Sequence, residues 1–121
     1  MSDRSEIIVS DNTFSTRILK SPRPVLVMFT SRGCIACESL SRRLPKSVAN
    51  AGIGFARCWL HESFETFRRY RIRRTPTLVL FDEGEPLATH DGVAPVPAIE
   101  QWIGRSLESR QRELAPAGHG T

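Results

Sequence analysis

The sequence predicts an α/β protein, a central mixed β-sheet flanked by helices on both faces, in the order βαβαβ and then ββα. Three observations point to it. The run Val25-Leu26-Val27-Met28-Phe29-Thr30 is continuously apolar and β-branched in character, as in a strand buried on both faces. Strand-like runs alternate with stretches of helical apolar spacing as far as Tyr70. Beyond it, two strand-like runs flank Asp82-Glu83-Gly84-Glu85, a turn sequence that makes the last pair antiparallel.

Taken in order, Glu6 to Val9 reads as a short first strand. Ser10 or Asp11 supplies helix-start chemistry, and Phe14, Ile18 and Leu19 follow at helical spacing. Ser21-Pro22-Arg23-Pro24 ends that helix, since proline cannot continue one. Residues 25–30 are the second strand. Cys34 opens a helix whose inner face carries Leu40, Leu44 and Val48, and Pro45 is expected to interrupt and kink it. A third strand spans 55–60, and a helix over 62–70 turns Phe64, Phe67 and Tyr70 inward. Residues 75–81 and 86–90 are the fourth and fifth strands, with a break at Gly92. A closing helix within 95–114 carries Ile99, Trp102, Ile103 and Leu107 on one stripe. The result is one domain over residues 1–110 and a polar, glycine-containing tail at 111–121. That tail has little to bury and is expected to be disordered.

At 121 residues the chain suffices for one domain with a modest core. No apolar run approaches the roughly 20 residues of a membrane span, and the first residues lack a secretory apolar core. A cytoplasmic location without a membrane partner is therefore expected. Net charge is +4, and all of the 17 basic residues except Lys20 and Lys46 are arginine. Their densest cluster, Arg68 to Arg74, reads as a solvated helix end, and nucleic acid is not an expected partner.

Three cysteines are too few, and odd in number, for a secreted disulfide scaffold. Cys34 and Cys37 form a Cys-x-x-Cys pair, which can be half a zinc site, a structural clip or a redox couple. A cysteine in the first turn of a helix faces unpaired backbone N–H groups and the positive end of the dipole, both of which favour thiolate. Arg32 adds a nearby positive charge. Cys37, one turn on, is within reach of a disulfide and is placed to resolve what Cys34 attacks. A closed zinc site wants four ligands. Only Cys58, His61, His90 and His119 remain, Cys58 reads as strand core, and no metal is expected.

Three stretches taken together, Val25 to Cys37, Arg71 to Phe81 and Gly84 to Gly92, make the chain resemble the thioredoxin family from about Glu6 to Leu107. The resemblance implies the thioredoxin fold and a cis Thr75–Pro76 bond lying against the cysteine pair. It implies a substrate surface made by Gly33, Ile35, Ala36, Arg74, Thr75, Pro76 and Gly92, with the Thr75 backbone offered to an extended segment. Several positions depart from the family pattern. Gly33 replaces the motif tryptophan, and Ile35-Ala36 replaces Gly-Pro between the cysteines. Met28 stands where the family has a buried Asp that handles the second cysteine's proton, and Arg57 replaces that acid's usual lysine neighbour. Glu38 and His61 are the two candidate substitutes for proton handling. Pro45 falls later in its helix than the family proline. Asp91, with Arg32 and Arg74, gives the groove charge where the family is apolar, which favours a narrower set of partners.

The function expected is reduction of disulfides in protein partners through a Cys34/Cys37 dithiol, with no bound cofactor. Electrons are expected from an NADPH-dependent thioredoxin reductase, and the protein is expected to act as a monomer. The alternative is a thioredoxin-like binding module, a redox-sensing assembly factor or co-chaperone with weak or no turnover.

Overall fold

The apolar run Val25–Thr30 forms β2, the middle strand of a five-stranded sheet, and all six of its residues are buried. The computed structural model describes residues 6–114. Its other strands are β1 (Glu6–Val9), β3 (Gly54–Trp59), β4 (Thr77–Asp82) and β5 (Glu85–Asp91), in the order β1-β3-β2-β4-β5. β3 runs parallel to both β1 and β2, whereas β4 is antiparallel to β2 and to β5. The helices are α1 (Ile35–Ala49), α2 (Phe64–Arg69) and α3 (Val96–Leu114), joined by a short helical turn at Ser15–Leu19.

Alternation along the strands divides the core in two. Leu26, Met28, Phe55, Leu78 and Leu80 face Leu40, Leu44 and Val48 of α1 and Ile99 and Ile103 of α3. Val25, Val27, Phe29, Val79 and Phe81 face Phe14, Ile18 and Phe67 on the other side. Edge-to-face rings hold the second layer, with Phe29 on Phe67 at 5.1 Å and Phe14 on Phe81 at 5.4 Å. The cysteine helix and the closing helix thus share one face, and the arginine-rich segment lies with the other.

Several elements differ from the sequence reading. Only Ser15–Leu19 of the first helical stretch is helical, after a turn in which Phe14 N–H bonds the Ser10 carbonyl. Asp11 does not cap that turn. Its carboxylate accepts from the backbone N–H of Glu65 (3.2 Å) and Thr66 (2.9 Å) and from the Thr66 hydroxyl (2.7 Å). It caps α2 from 54 residues away, a long-range contact that no local pattern encodes. Phe64, expected inward, is 61% exposed, because α2 begins at Phe64 and only Thr66 and Phe67 reach the core. α1 continues unbroken through a buried Pro45. β3 ends at Trp59, so Leu60, His61 and Glu62 form a separate turn of 3₁₀ helix. α3, Val96–Leu114, follows the closing helix read over 95–114 to within one residue. Residues 115–121, with His119, lie outside the described residues.

The Asp11 cap makes one prediction. Burial raises the Asp11 pKa, but the hydrogen bonds from Thr66 and Glu65 outweigh it and hold the carboxyl below its ordinary 3.8. A group with a lowered folded-state pKa contributes stability above its unfolded value and loses it as the pH falls through the folded one. Asp11→Ala is expected to cost about 1 kcal/mol at pH 7. In urea titrations the gap between variant and parent should shrink once the pH is well below 3.8; a gap that is the same at pH 7 and at low pH excludes the carboxylate as its source.

Candidate active site

β2 ends at Thr30, and the chain must turn sharply before α1 begins. Gly33 makes that turn at φ 76°, a left-handed conformation that side chains with a Cβ rarely adopt. Cys34 then takes the N-cap position in extended geometry, and its Sγ accepts the Cys37 backbone N–H at 3.1 Å. A serine or aspartate oxygen usually fills this role; here a sulfur occupies it. Cys34 and Cys37 are joined as a disulfide with Cα atoms 5.2 Å apart. The two sulfurs differ in surroundings. Cys34 is partly exposed, while Cys37 is 0% exposed within the core cluster that holds Met28, Leu40 and Leu78.

The opposite wall comes from the loops around β4 and β5. The Thr75–Pro76 bond is cis. The Pro76 carbonyl accepts from the Gly92 N–H at 2.8 Å, and Gly92 sits at φ 82°, which glycine permits. The Ser31 and Thr75 hydroxyls share a 2.7 Å hydrogen bond that ties the loop before the cysteines to the residue before the proline. The Thr77 hydroxyl donates to the Arg74 carbonyl at 2.7 Å and lies 3.4 Å from the Asp91 carboxylate. Ser31 and Thr77 were missed by sequence reading. For Thr77 the available signal was a hydroxyl residue on either side of Pro76; for Ser31 there was none. Ile35 is 85% exposed between the cysteines and Val93 is 61% exposed after Gly92, giving the rim its apolar contacts. Arg32, Arg74 and Asp91 are exposed around it, and Ala36 is half-buried.

Beneath Cys37 the sheet offers no acid. Met28 is 0% exposed and pairs with Arg57 on one side and Leu78 on the other. The buried polar side chains among the described residues are Thr30, Ser63, Thr66 and Thr77, so none is a carboxylate. Arg57 lies 3.9 Å from Glu38 and 5.3 Å from the centre of the Trp59 ring. Glu38 is therefore held by a guanidinium at the helix start, with its side chain 54% exposed. His61 sits on the exposed turn after β3, 4.0 Å from Glu62 and edge-on to Trp59. The buried Thr30 hydroxyl at the end of β2 has no hydrogen-bond partner. Trp59, opposite Thr30 across the sheet, is an aromatic neighbour of the site that sequence reading passed over.

The third cysteine plays a different part. Cys58 is free and buried, and burial above all, with the Asp11 charge adding and the Ser63 hydroxyl subtracting, pushes its thiol up to about 11. It is neutral and inert at pH 7. His90 packs edge-on to Trp102 at 5.5 Å. Among the described residues no group of three or more His, Cys, Asp or Glu side chains is placed to hold a metal ion.

A dithiol that can close at the start of a helix, with one sulfur accessible and the other buried, defines a thiol–disulfide oxidoreductase. The thioredoxin family model matches residues 5–105. The chain is 36% identical over 103 residues to a thioredoxin of Acidithiobacillus ferridurans, covering 84% of this chain and 95% of that one. It is 29% identical over 101 residues to a thioredoxin of Rhodospirillum rubrum, covering 82% and 97%. A third relative is the chloroplastic thioredoxin M4 of Arabidopsis thaliana, 33% identical over 102 residues that cover 82% of this chain and 52% of that one. The chain belongs to the thioredoxin family, and its activity is reduction of disulfides, with protein disulfides as the substrate class. No helix among the described residues is long and apolar enough to cross a membrane.

Proposed function

We propose that Cys34 is the attacking sulfur and Cys37 the resolving one. The observation that carries this is the asymmetry of the pair. Cys34 is accessible and its sulfur already accepts the Cys37 N–H at a helix start, whereas Cys37 is 0% exposed. In the reduced protein the same N–H stabilises a Cys34 thiolate. That thiolate attacks one sulfur of the client disulfide, the S–S bond breaks, and the departing client sulfur takes up a proton. Cys37, once deprotonated, attacks Cys34 and releases the second client thiol. Two electrons have then passed to the client, and the Cys34–Cys37 disulfide remains. Among the described residues no buried carboxylate lies beneath Cys37, so its proton leaves slowly, with Glu38 and His61 at the edge of the site as the candidate acceptors.

The client lies as an extended segment along Thr75, pairing with its backbone next to Pro76, over Gly33, Ile35, Ala36 and Gly92 and within reach of Arg74. An NADPH-dependent thioredoxin reductase regenerates the dithiol, and the protein works as a cytoplasmic monomer. The test is reduction of a protein disulfide with a simple dithiol as electron source. The protein should accelerate it, and the acceleration should vanish in Cys34→Ser. No acceleration between pH 6 and pH 9 excludes this reading and leaves a binding module.

A further inference from the structure

A second surface is lined by residues just before Arg74 and Thr75 in the chain and includes neither cysteine. Leu60, Phe64 and Ile72 floor an open groove of about 360 Å³ on the α2 side of the sheet. Phe64 is 61% exposed, a large aromatic side chain left in solvent. Arg68, Arg71 and Arg73 form the groove's edge. Of the acids close by in the chain, Glu65 lies 3.8 Å from Arg68 and so offsets that one groove arginine, and Glu62 lies 4.0 Å from His61. Among the described residues, Arg71 and Arg73 make no ion pair.

Arg71 also occupies a costly position. It ends α2 at φ 56°, where glycine is the favoured residue. The Ile72 N–H closes the helix onto the Phe67 carbonyl at 2.9 Å around it. Arg71 thus stands, at a position that favours glycine, among the residues that line the groove.

We propose that this groove is a docking site for an acidic segment of the client protein that carries one large apolar side chain. The apolar side chain covers Phe64, Leu60 and Ile72, and its flanking carboxylates meet Arg71 and Arg73. The proposal rests on the reading of the cysteine site as one that engages extended protein segments. Ile72 is three residues from Thr75, and an extended chain covers about 3.3 Å per residue. The docking motif therefore lies about three to five residues from the client's reactive cysteine. The arginine cluster, read from sequence as a solvated helix end, is on this account a selectivity element.

The test compares two disulfide-linked peptides that are identical around the cysteine. One carries Asp-Phe-Glu four residues away and the other Lys-Ala-Lys. Single-turnover reduction by the reduced protein should favour the acidic peptide by about tenfold at low salt. The preference should fall toward unity in 0.5 M salt. Phe64→Ala and the pair Arg71→Gln, Arg73→Gln should each remove most of it, while reduction of the small neutral hydroxyethyl disulfide stays unchanged. A preference that is absent, or that survives these variants, overturns the proposal. Failure to reduce even hydroxyethyl disulfide would count against the redox reading instead. In that case the docking is still read by fluorescence anisotropy, with a labelled acidic peptide whose cysteine is replaced by serine. Binding that Phe64→Ala weakens supports the groove, whereas no binding, or tighter binding of a labelled single-stranded oligonucleotide, contradicts it. Arg71→Gly separates docking from folding. It should raise the melting midpoint by a few degrees and still weaken the acidic peptide about threefold.

Discussion

Cys37→Ser should convert the protein from a turnover catalyst into a trap. Cys34 still attacks, because its position at the helix start and the Cys37 backbone N–H are unchanged by the substitution. No resolving thiol remains, so the mixed disulfide accumulates and the client stays covalently attached. Cys34→Ser gives the opposite outcome, with loss of exchange by at least about 10³-fold, because a serine hydroxyl is not ionised there and is not displaced as a sulfur is. Non-reducing mass spectrometry after mixing with a disulfide peptide checks both. The result that reverses the assignment is a stable adduct on Cys37 in the Cys34→Ser protein. The burial of Cys37 at 0% exposure argues against that result, since an incoming disulfide has no approach to its sulfur.

Met28→Asp should have the next largest effect, and in two directions. Met28 is fully buried in the same cluster as Cys37, with Arg57 and Leu78 as its cross-strand neighbours. A carboxyl group there loses its hydration, and the folded protein should lose about 2–4 kcal/mol. The same desolvation raises the acid's pKa and makes it a base suited to neutral pH. Release of the mixed disulfide should then speed up by about tenfold or more, with a weaker dependence on pH than in the parent. In the parent no buried carboxylate among the described residues is present to take the Cys37 proton, so resolution should slow steadily as the pH falls. A quench-flow measurement of mixed-disulfide lifetime reads the difference. A Met28→Asp lifetime equal to the parent's would show that the missing acid does not limit resolution.

These two residues also show how unevenly the sequence carries the site. The Cys34–Cys37 pair, the buried strand before it and the Thr75-Pro76 step were legible because each is local: a spacing, a run or a dipeptide. Their convergence was legible only through resemblance to a family. What escaped was everything set by distant partners. Asp11 looked like the cap of its own helix and instead serves α2, because the turn after β1 meets α2 only in the folded chain. Phe64 fitted the inner stripe of a longer helix. Once Leu60–Glu62 form a separate turn, the helix starts late and that ring faces solvent. The Ser31–Thr75 bond fixes the rim between segments 44 residues apart that composition cannot relate. Glu38 was singled out because it follows the motif and His61 because it ends the third strand on the cysteines' edge; their contacts, Glu38 with Arg57 and His61 with Trp59, were visible only in three dimensions.

The division of labour across the sheet follows from the same packing. The face under α1 and α3 buries Cys37 in an apolar environment and leaves Cys34 at the surface. The other face, anchored by the Phe14, Phe29, Phe67 and Phe81 rings, supports the arginine-edged groove. On the proposal above, one extended client segment would reach both by crossing the Arg73-Arg74-Thr75 stretch.

The most direct test of the central claim is a redox titration of the Cys34–Cys37 pair, read by thiol alkylation and mass spectrometry across a series of dithiol/disulfide buffers. The account predicts one reversible two-electron transition confined to these two cysteines, lost in Cys34→Ser, with Cys58 unmodified throughout in the folded protein. Absence of a Cys34–Cys37 disulfide at every poise, with both thiols remaining free, would contradict it.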